Sequence, residues 1–232
     1  MRLPLIIVNF KIYKESIGKN AYNLAKIIEH VAIEREAEIA IAPDFLDLVK
    51  IREIVDVPVL AQHADAVELG GNTGHITIEV LKEYDIDGLI INHSEKRLNF
   101  ADIEYLVSKA RNYKVTSVLC TNNINATIAG AALNPDFLAI EPPELIGGDI
   151  SVSKAKPEVI VNSVQSSKKI SPSIKILAGA GIKDKLDSKK ALELGADGVL
   201  IASGIVKAKD PMKSLNDIID GFAEANYGKR KR

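Results

Sequence analysis

Eight short apolar runs, rich in Ile, Val, Leu and Ala, recur along the chain at 4–8, 38–42, 57–61, 88–92, 115–120, 137–141, 174–178 and 198–202. A continuous apolar run of this length suits a strand covered on both faces, as in a parallel sheet; a sheet with one wet face would alternate instead. Between the runs lie stretches with helical apolar spacing at 20–33, 45–55, 77–84, 102–112, 157–169, 187–194 and 211–224, and a weaker one at 123–130. Pro157 and Pro211 fall where a first helical turn tolerates a missing N–H. Eight strand–helix units are the arithmetic of a (β/α)8 barrel. An open doubly wound sheet uses similar units, and periodicity alone does not separate the two. The glycine fingerprint of a dinucleotide fold is missing, however: Val8-Asn9-Phe10-Lys11 follows the first run. No linker interrupts the pattern, so residues 1–232 read as one α/β barrel domain, with 227–232 a disordered basic tail.

Charge and cysteine content narrow the partners. Thirty basic and 31 acidic residues nearly cancel, which disfavours a nucleic-acid or membrane-surface role. One cysteine excludes an internal disulfide framework and fits a reducing, cytoplasmic compartment. The first residues, MRLPLIIVNFKIYKES, turn polar with no small-residue cleavage site, so they do not read as a signal peptide. No apolar stretch approaches the roughly 20 residues of a spanning helix.

In such barrels the reactive groups sit at the C-terminal ends of the strands, where the following loops form one face. The polar residues closing the runs are Asn9 and Lys11, Gln62 and His63, Asn92, His93, Ser94 and Glu95, Cys120, and Glu141. Asn9 and Lys11, two apart, should share one side of the first strand. The seventh and eighth runs end in small residues, Gly179-Ala180-Gly181 and Ala202-Ser203-Gly204, whose backbone N–H groups can approach an anion. A carboxylate can remove a proton alpha to a carbonyl, and a neutral imidazole and an ammonium can stabilise the resulting oxyanion. The pattern therefore points to proton transfer on a small phosphorylated molecule, without a metal. Glu141, directly after an apolar strand and before Pro142-Pro143, is poorly placed for ordinary solvation. His63 has no evident partner, His30 and His75 read as surface residues, and Cys120 reads as small buried filler.

Together these residues resemble the triosephosphate isomerase family in its short archaeal form, from Asn9 to Gly204. The motifs are Asn9-Phe10-Lys11, Asn92-His93-Ser94-Glu95-Lys96-Arg97, Ile140-Glu141-Pro142 followed by Leu145-Ile146-Gly147, and Gly198-Val199-Leu200-Ile201-Ala202-Ser203-Gly204. The resemblance implies a TIM barrel that interconverts dihydroxyacetone phosphate and glyceraldehyde 3-phosphate without a cofactor. By position, Glu141 resembles the proton-shuttling base, and His93 the neutral electrophile, its pKa lowered by a helical turn starting at Ser94. Lys11 resembles the cation at the developing enediolate, Asn9 a donor to the substrate oxygen, and Glu95 the carboxylate supporting Lys11. Gly147, Gly181, Ser203 and Gly204 resemble phosphate-binding positions. Thr73 resembles the tip of a loop that enters a neighbouring subunit, which implies a homo-oligomer, dimer or tetramer.

Departures accompany the resemblance. A lid is expected from Pro142 to Ala155, but it lacks the usual Trp, Glu144 standing in its place. Gly148-Asp149 replaces the usual Thr-Gly, and Asp149 should face solvent or meet Lys154 or Lys156 on closure. Another phosphate-binding barrel, such as a pentose-phosphate epimerase, would need metal-ligand His and Asp on several strands, a pattern not found. An inactive scaffold would be expected to have lost Lys11, His93 or Glu141.

Overall fold

The structure, a computed structural model, describes residues 1–142 and 151–225, without the side chains of Val152 and Lys154. The basic end at 227–232 and most of the expected lid, including Gly147 and Asp149, lie outside the described residues. Each apolar run forms a strand: β1 (Leu5–Asn9), β2 (Glu38–Ala42), β3 (Leu60–Ala61), β4 (Gly88–Ile91), β5 (Thr116–Thr121), β6 (Phe137–Ile140), β7 (Lys175–Ala178) and β8 (Gly198–Ile201). Neighbouring strands are parallel, in the order β2-β1-β8-β7-β6-β5-β4-β3. The two end strands meet at a bridge between Ile41 and Val59, where the Ile41 N–H donates to the Pro58 carbonyl at 2.9 Å. The sheet thus curls into a (β/α)8 barrel, and the open doubly wound alternative falls away. The run at 57–61 yields a strand of only two residues, since Pro58 offers no N–H to a ladder.

The helical stretches form α1 (Lys19–Glu34), α2 (Phe45–Ile54), α3 (Ile78–Glu83), α4 (Phe100–Tyr113), α5 (Ile124–Ala132), α6 (Val152–Ala155), α7 (Pro157–Ile170), α8 (Lys185–Glu193), α9 (Ser203–Val206) and α10 (Pro211–Glu224). In α1 the buried Ala21, Leu24, Ala25, Ile28, Val31 and Ala32 follow the spacing of one helical face. Side-chain caps open several of the others. Asp44, Asn99, Asn123, Asp184 and Asp210 each accept a backbone N–H of the first turn, and each such cap is worth roughly 1 kcal/mol. Pro157 and Pro211 stand in the first turns of α7 and α10. The weaker stretch at 123–130 becomes α5 because Gly130 lets it press onto Leu119 and Leu138 of the barrel. Among the described residues no helix is long and apolar enough to cross a membrane.

Strand alternation sorts the core into two layers. Leu5, Ile7, Ala40, Leu60, Ile90, Val118, Phe137, Ala139, Leu177 and Leu200 fill the barrel interior. The intervening residues, such as Ile6, Val8, Ile39 and Ile41, pack outward against the helices. At the opposite end from the candidate site, an aspartate precedes each of β4, β6 and β8. Asp87 accepts the Val59 N–H at 2.8 Å, Asp136 the Ser117 N–H at 2.9 Å, and Asp197 the Ile176 N–H at 3.0 Å. Each carboxylate satisfies a backbone donor at the start of the preceding strand, where the ladder alone leaves one open.

Candidate active site

Alternation also fixes which strand-end groups can meet. Asn9 has the parity of Leu5 and Ile7 and is buried at the top of the barrel interior. Glu141 has the parity of Phe137 and Ala139, and its N–H extends the β6 ladder by donating to the Thr121 carbonyl at 2.8 Å.

His93 does not follow this logic. With Ile90 facing inward, Asn92 would point in and His93 out. Asn92 instead takes a left-handed backbone, φ 60°, which ends the strand and returns His93 to the rim of the cleft. The Asn92 side chain holds this turn by donating to the Cys120 carbonyl at 3.0 Å and accepting the Leu98 N–H at 2.9 Å. The expected helical turn at Ser94 is a single turn closed by Lys96 N–H to His93 carbonyl, 2.8 Å, with no helix following.

Lys11 also departs from expectation. The strand stops at Asn9, and Lys11 lies beyond it with φ 51°. A left-handed non-glycine residue costs on the order of 1–2 kcal/mol, so its surroundings must hold it. The Lys11 N–H donates to Asn9 Oδ1 at 2.9 Å, and the Lys11 carbonyl accepts from Gln62 Nε2 at 2.9 Å. Asn9 and Lys11 therefore reach the same cleft through a turn rather than through strand register.

These groups line one cleft, shared by Asn9, Lys11, Tyr13, His93, Glu141, Gly179 and the residues that follow β7 and β8. Lys11 Nζ pairs with Glu95 Oε1 at 2.8 Å. The Glu95 N–H donates to His93 Nδ1 at 3.2 Å, a bond that requires Nδ1 to be unprotonated and leaves the ring proton on Nε2. His93 Nε2 in turn lies 3.3 Å from Glu141 Oε1. Glu141 is only 3% exposed, and its Oε2 has no hydrogen-bond partner among the described residues. An unpartnered buried carboxylate oxygen is costly, and in native structures it calls for an explanation such as a functional role. Gly179 makes room for this side chain, since a Cβ there would lie 2.6 Å from Glu141 Cγ. Beneath it, burial first and the Glu141 carboxylate second push the Cys120 thiol well above its ordinary range.

The small-residue loops form the other wall. Gly181, at φ 69°, and Ser203 line the cleft, while Gly204 borders the adjoining one. Glu95 reaches the cleft through Lys11, its own side chain being largely exposed. Thr73 stands on an exposed loop away from the cleft. His30 and His75 are exposed, as expected. His63 is buried and has a partner that spacing did not reveal, Asp65 Oδ1 at 3.2 Å. Three contributors were not singled out in the sequence: Tyr13, Lys183 and the supporting role of Gln62. Gln62 did carry a signal, its place at a strand end.

The chain matches the family model described as "Triosephosphate isomerase" over residues 4–221. It is 52% identical over 218 residues to a triosephosphate isomerase of Archaeoglobus fulgidus, covering 94% of this chain and 98% of that protein. It is 49% identical to one from Methanothermus fervidus, covering 94% and 99%. A third, from Methanothermobacter thermautotrophicus, is 50% identical, covering 93% and 94%.

Proposed function

This chain belongs to the triosephosphate isomerase family of enzymes, and we propose that it interconverts dihydroxyacetone phosphate and D-glyceraldehyde 3-phosphate by proton transfer through an enediolate. The observation that carries the reading is the buried Glu141 carboxylate, one oxygen unpartnered among the described residues, facing the His93 imidazole at 3.3 Å. Glu141 takes the proton from the carbon alpha to the carbonyl and returns it to the neighbouring carbon, the family's own chemistry. His93, neutral with its proton on Nε2, donates to the oxygen that gains charge; the Glu95 N–H on Nδ1 supports that tautomer. Lys11 supplies a fixed positive charge to the same oxyanion, and Glu95 orients its ammonium. With Asn9 Oδ1 engaged by the Lys11 N–H, the amide of Asn9 is the end that donates to a substrate oxygen. The phosphate lies against Gly181, Ser203 and Gly204, with Gly147 contributing from the lid. The reaction requires neither metal nor cofactor.

The functional unit is a cytoplasmic homo-oligomer, dimer or tetramer, of single-domain chains, in which the Thr73 loop enters the neighbouring subunit. Three apolar residues that follow the adjacent strands β1, β2 and β3, Ile12 at 79% exposure, Leu46 at 95% and Leu69 at 63%, support a covered face at that end of the barrel. The decisive experiment is an isomerase assay coupled to a dehydrogenase, with and without a chelator. Activity that survives chelation and needs no added cofactor is the expected result. A purified, folded protein without isomerase activity would overturn the reading.

A further inference from the structure

The loop between β3 and α3 combines an exposed tip with a base that is tied down within its own chain. Residues 68–75 are exposed, Leu69 among them. At the base the Asp65 N–H donates to the Ile76 carbonyl at 2.8 Å, and the Ile76 N–H donates back to Asp65 Oδ2 at 2.8 Å. Further out, Asn72 Nδ2 donates to the Glu68 carbonyl at 2.7 Å, so Glu68 also supports the tip. Glu68 is in turn held by α4. The Tyr105 hydroxyl donates to Glu68 Oε1 at 2.7 Å, with the Val67 carbonyl a second acceptor at 3.2 Å, and Lys109 Nζ pairs with Glu68 Oε2 at 2.5 Å. The ammonium is itself fixed, because Glu79 of α3 holds it as well, at 2.6 Å.

Burial separates the work of the two carboxylates. The Glu79 side chain is nine-tenths buried with Oε2 unpartnered among the described residues, and Lys109, 14% exposed, balances its charge. The Glu68 side chain is 69% exposed, and an ion pair so open to water adds little stability of its own. Its effect falls on the loop, whose tip it carries. Pairing with Glu68 first and Glu79 second raises the Lys109 pKa above its ordinary range, so the anchor stays charged. A free loop loses conformational freedom when it docks, which weakens association; a loop fixed beforehand loses less. We infer that Tyr105 and Lys109 of α4, acting through Glu68, are positioning residues that hold this loop in shape for insertion into a second copy of the chain. This rests on the homo-oligomer reading above and names the residues that set the strength of that assembly.

The test uses Glu68→Ala and Tyr105→Phe, which break the link and leave the buried Lys109–Glu79 pair in place, beside Glu68→Gln, which keeps an acceptor for both donors. Analytical ultracentrifugation gives the dissociation constant of each, and isomerase activity is followed through a dilution series. Loss of the charge-assisted anchor should weaken association about tenfold in Glu68→Ala and less in Glu68→Gln. Activity per subunit should stay within about twofold of wild type wherever the variants are assembled, and amide hydrogen exchange over 66–75 should quicken. A dissociation constant within twofold of wild type in Glu68→Ala would overturn the inference, as would an equal loss of activity at every concentration. A wild type that is monomeric and fully active throughout would defeat the homo-oligomer reading instead. Unchanged exchange over 66–75 in Glu68→Ala would overturn the anchoring whatever the state of assembly.

Discussion

Glu141 Oε1 faces His93 Nε2 at 3.3 Å, while Glu141 Oε2 has no hydrogen-bond partner among the described residues. That unpartnered oxygen makes the position of the carboxylate the first thing to test under the proposed reaction. Glu141→Asp keeps the charge and retracts it by one methylene, and misplacement of about 1 Å can cost on the order of 100-fold. We expect kcat to fall by about that factor, with a smaller change in KM and an unaltered circular-dichroism spectrum. Near wild-type turnover would remove Glu141 from its role.

Gly179 tests the same carboxylate from behind. A methyl group at this position would stand 2.6 Å from Glu141 Cγ, closer than side-chain carbons approach, so Gly179→Ala must displace either Glu141 or the backbone after β7 and alter how the two sit together. The expected outcome is a fall in kcat comparable with that of Glu141→Asp, roughly 100-fold, with the barrel intact. Steady-state kinetics beside a melting curve decide it, and an unchanged kcat would mean that the precise seat of the carboxylate is immaterial.

Cys120 gives a prediction in pH. Burial and the neighbouring carboxylate raise its pKa, so the native protein holds the thiol proton more tightly than the unfolded chain does. The resulting contribution to stability is fully present below the ordinary thiol range, about 8.5, and declines as pH rises above it. Native protein at pH 9 should therefore resist alkylation, whereas the denatured chain should take up one equivalent. Mass spectrometry after a timed iodoacetamide pulse reads both, and rapid labelling of folded protein would contradict the assignment.

For the exposed loop at Thr73, removal of Asn72 and Thr73 should give smaller particles by light scattering and greatly reduced activity. Gly70 and Gly74 already carry positive φ there, so a shortened turn can still close. A fully active particle of unchanged size after the deletion would separate this loop from assembly.

The sequence announced the strands through their apolar runs, because a strand covered on both faces has no choice but to be apolar. It announced Glu141 and Asn9 because their parity follows that of the strands they close. It misjudged Lys11, expected on the strand, which lies beyond the strand's end with a left-handed backbone of its own, φ 51°. His93 was named by motif, yet alternation would have turned it away; Asn92 at φ 60° redirects it. Left-handed turns at non-glycine residues leave little trace in composition, since the contacts that hold them come from distant strands. Lys183 escaped notice for a related reason, being brought to the cleft by packing of the β7 loop on Gly204 rather than by a strand end.

The barrel closes through a bridge between Ile41 and Val59, and Gln62 stands just above that bridge. Its carboxamide nitrogen donates to the Ala42 carbonyl at 3.0 Å and to the Lys11 carbonyl at 2.9 Å. Gln62 is thus a clasp, fastening the thinnest seam of the cylinder and the backbone of Lys11 with one side chain. Breathing of the cylinder at this seam would loosen the clasp and release the turn that carries the ammonium. The rigidity of Lys11 is in this sense borrowed from the closure of the fold, and amide hydrogen exchange at Ile41 would report on both at once.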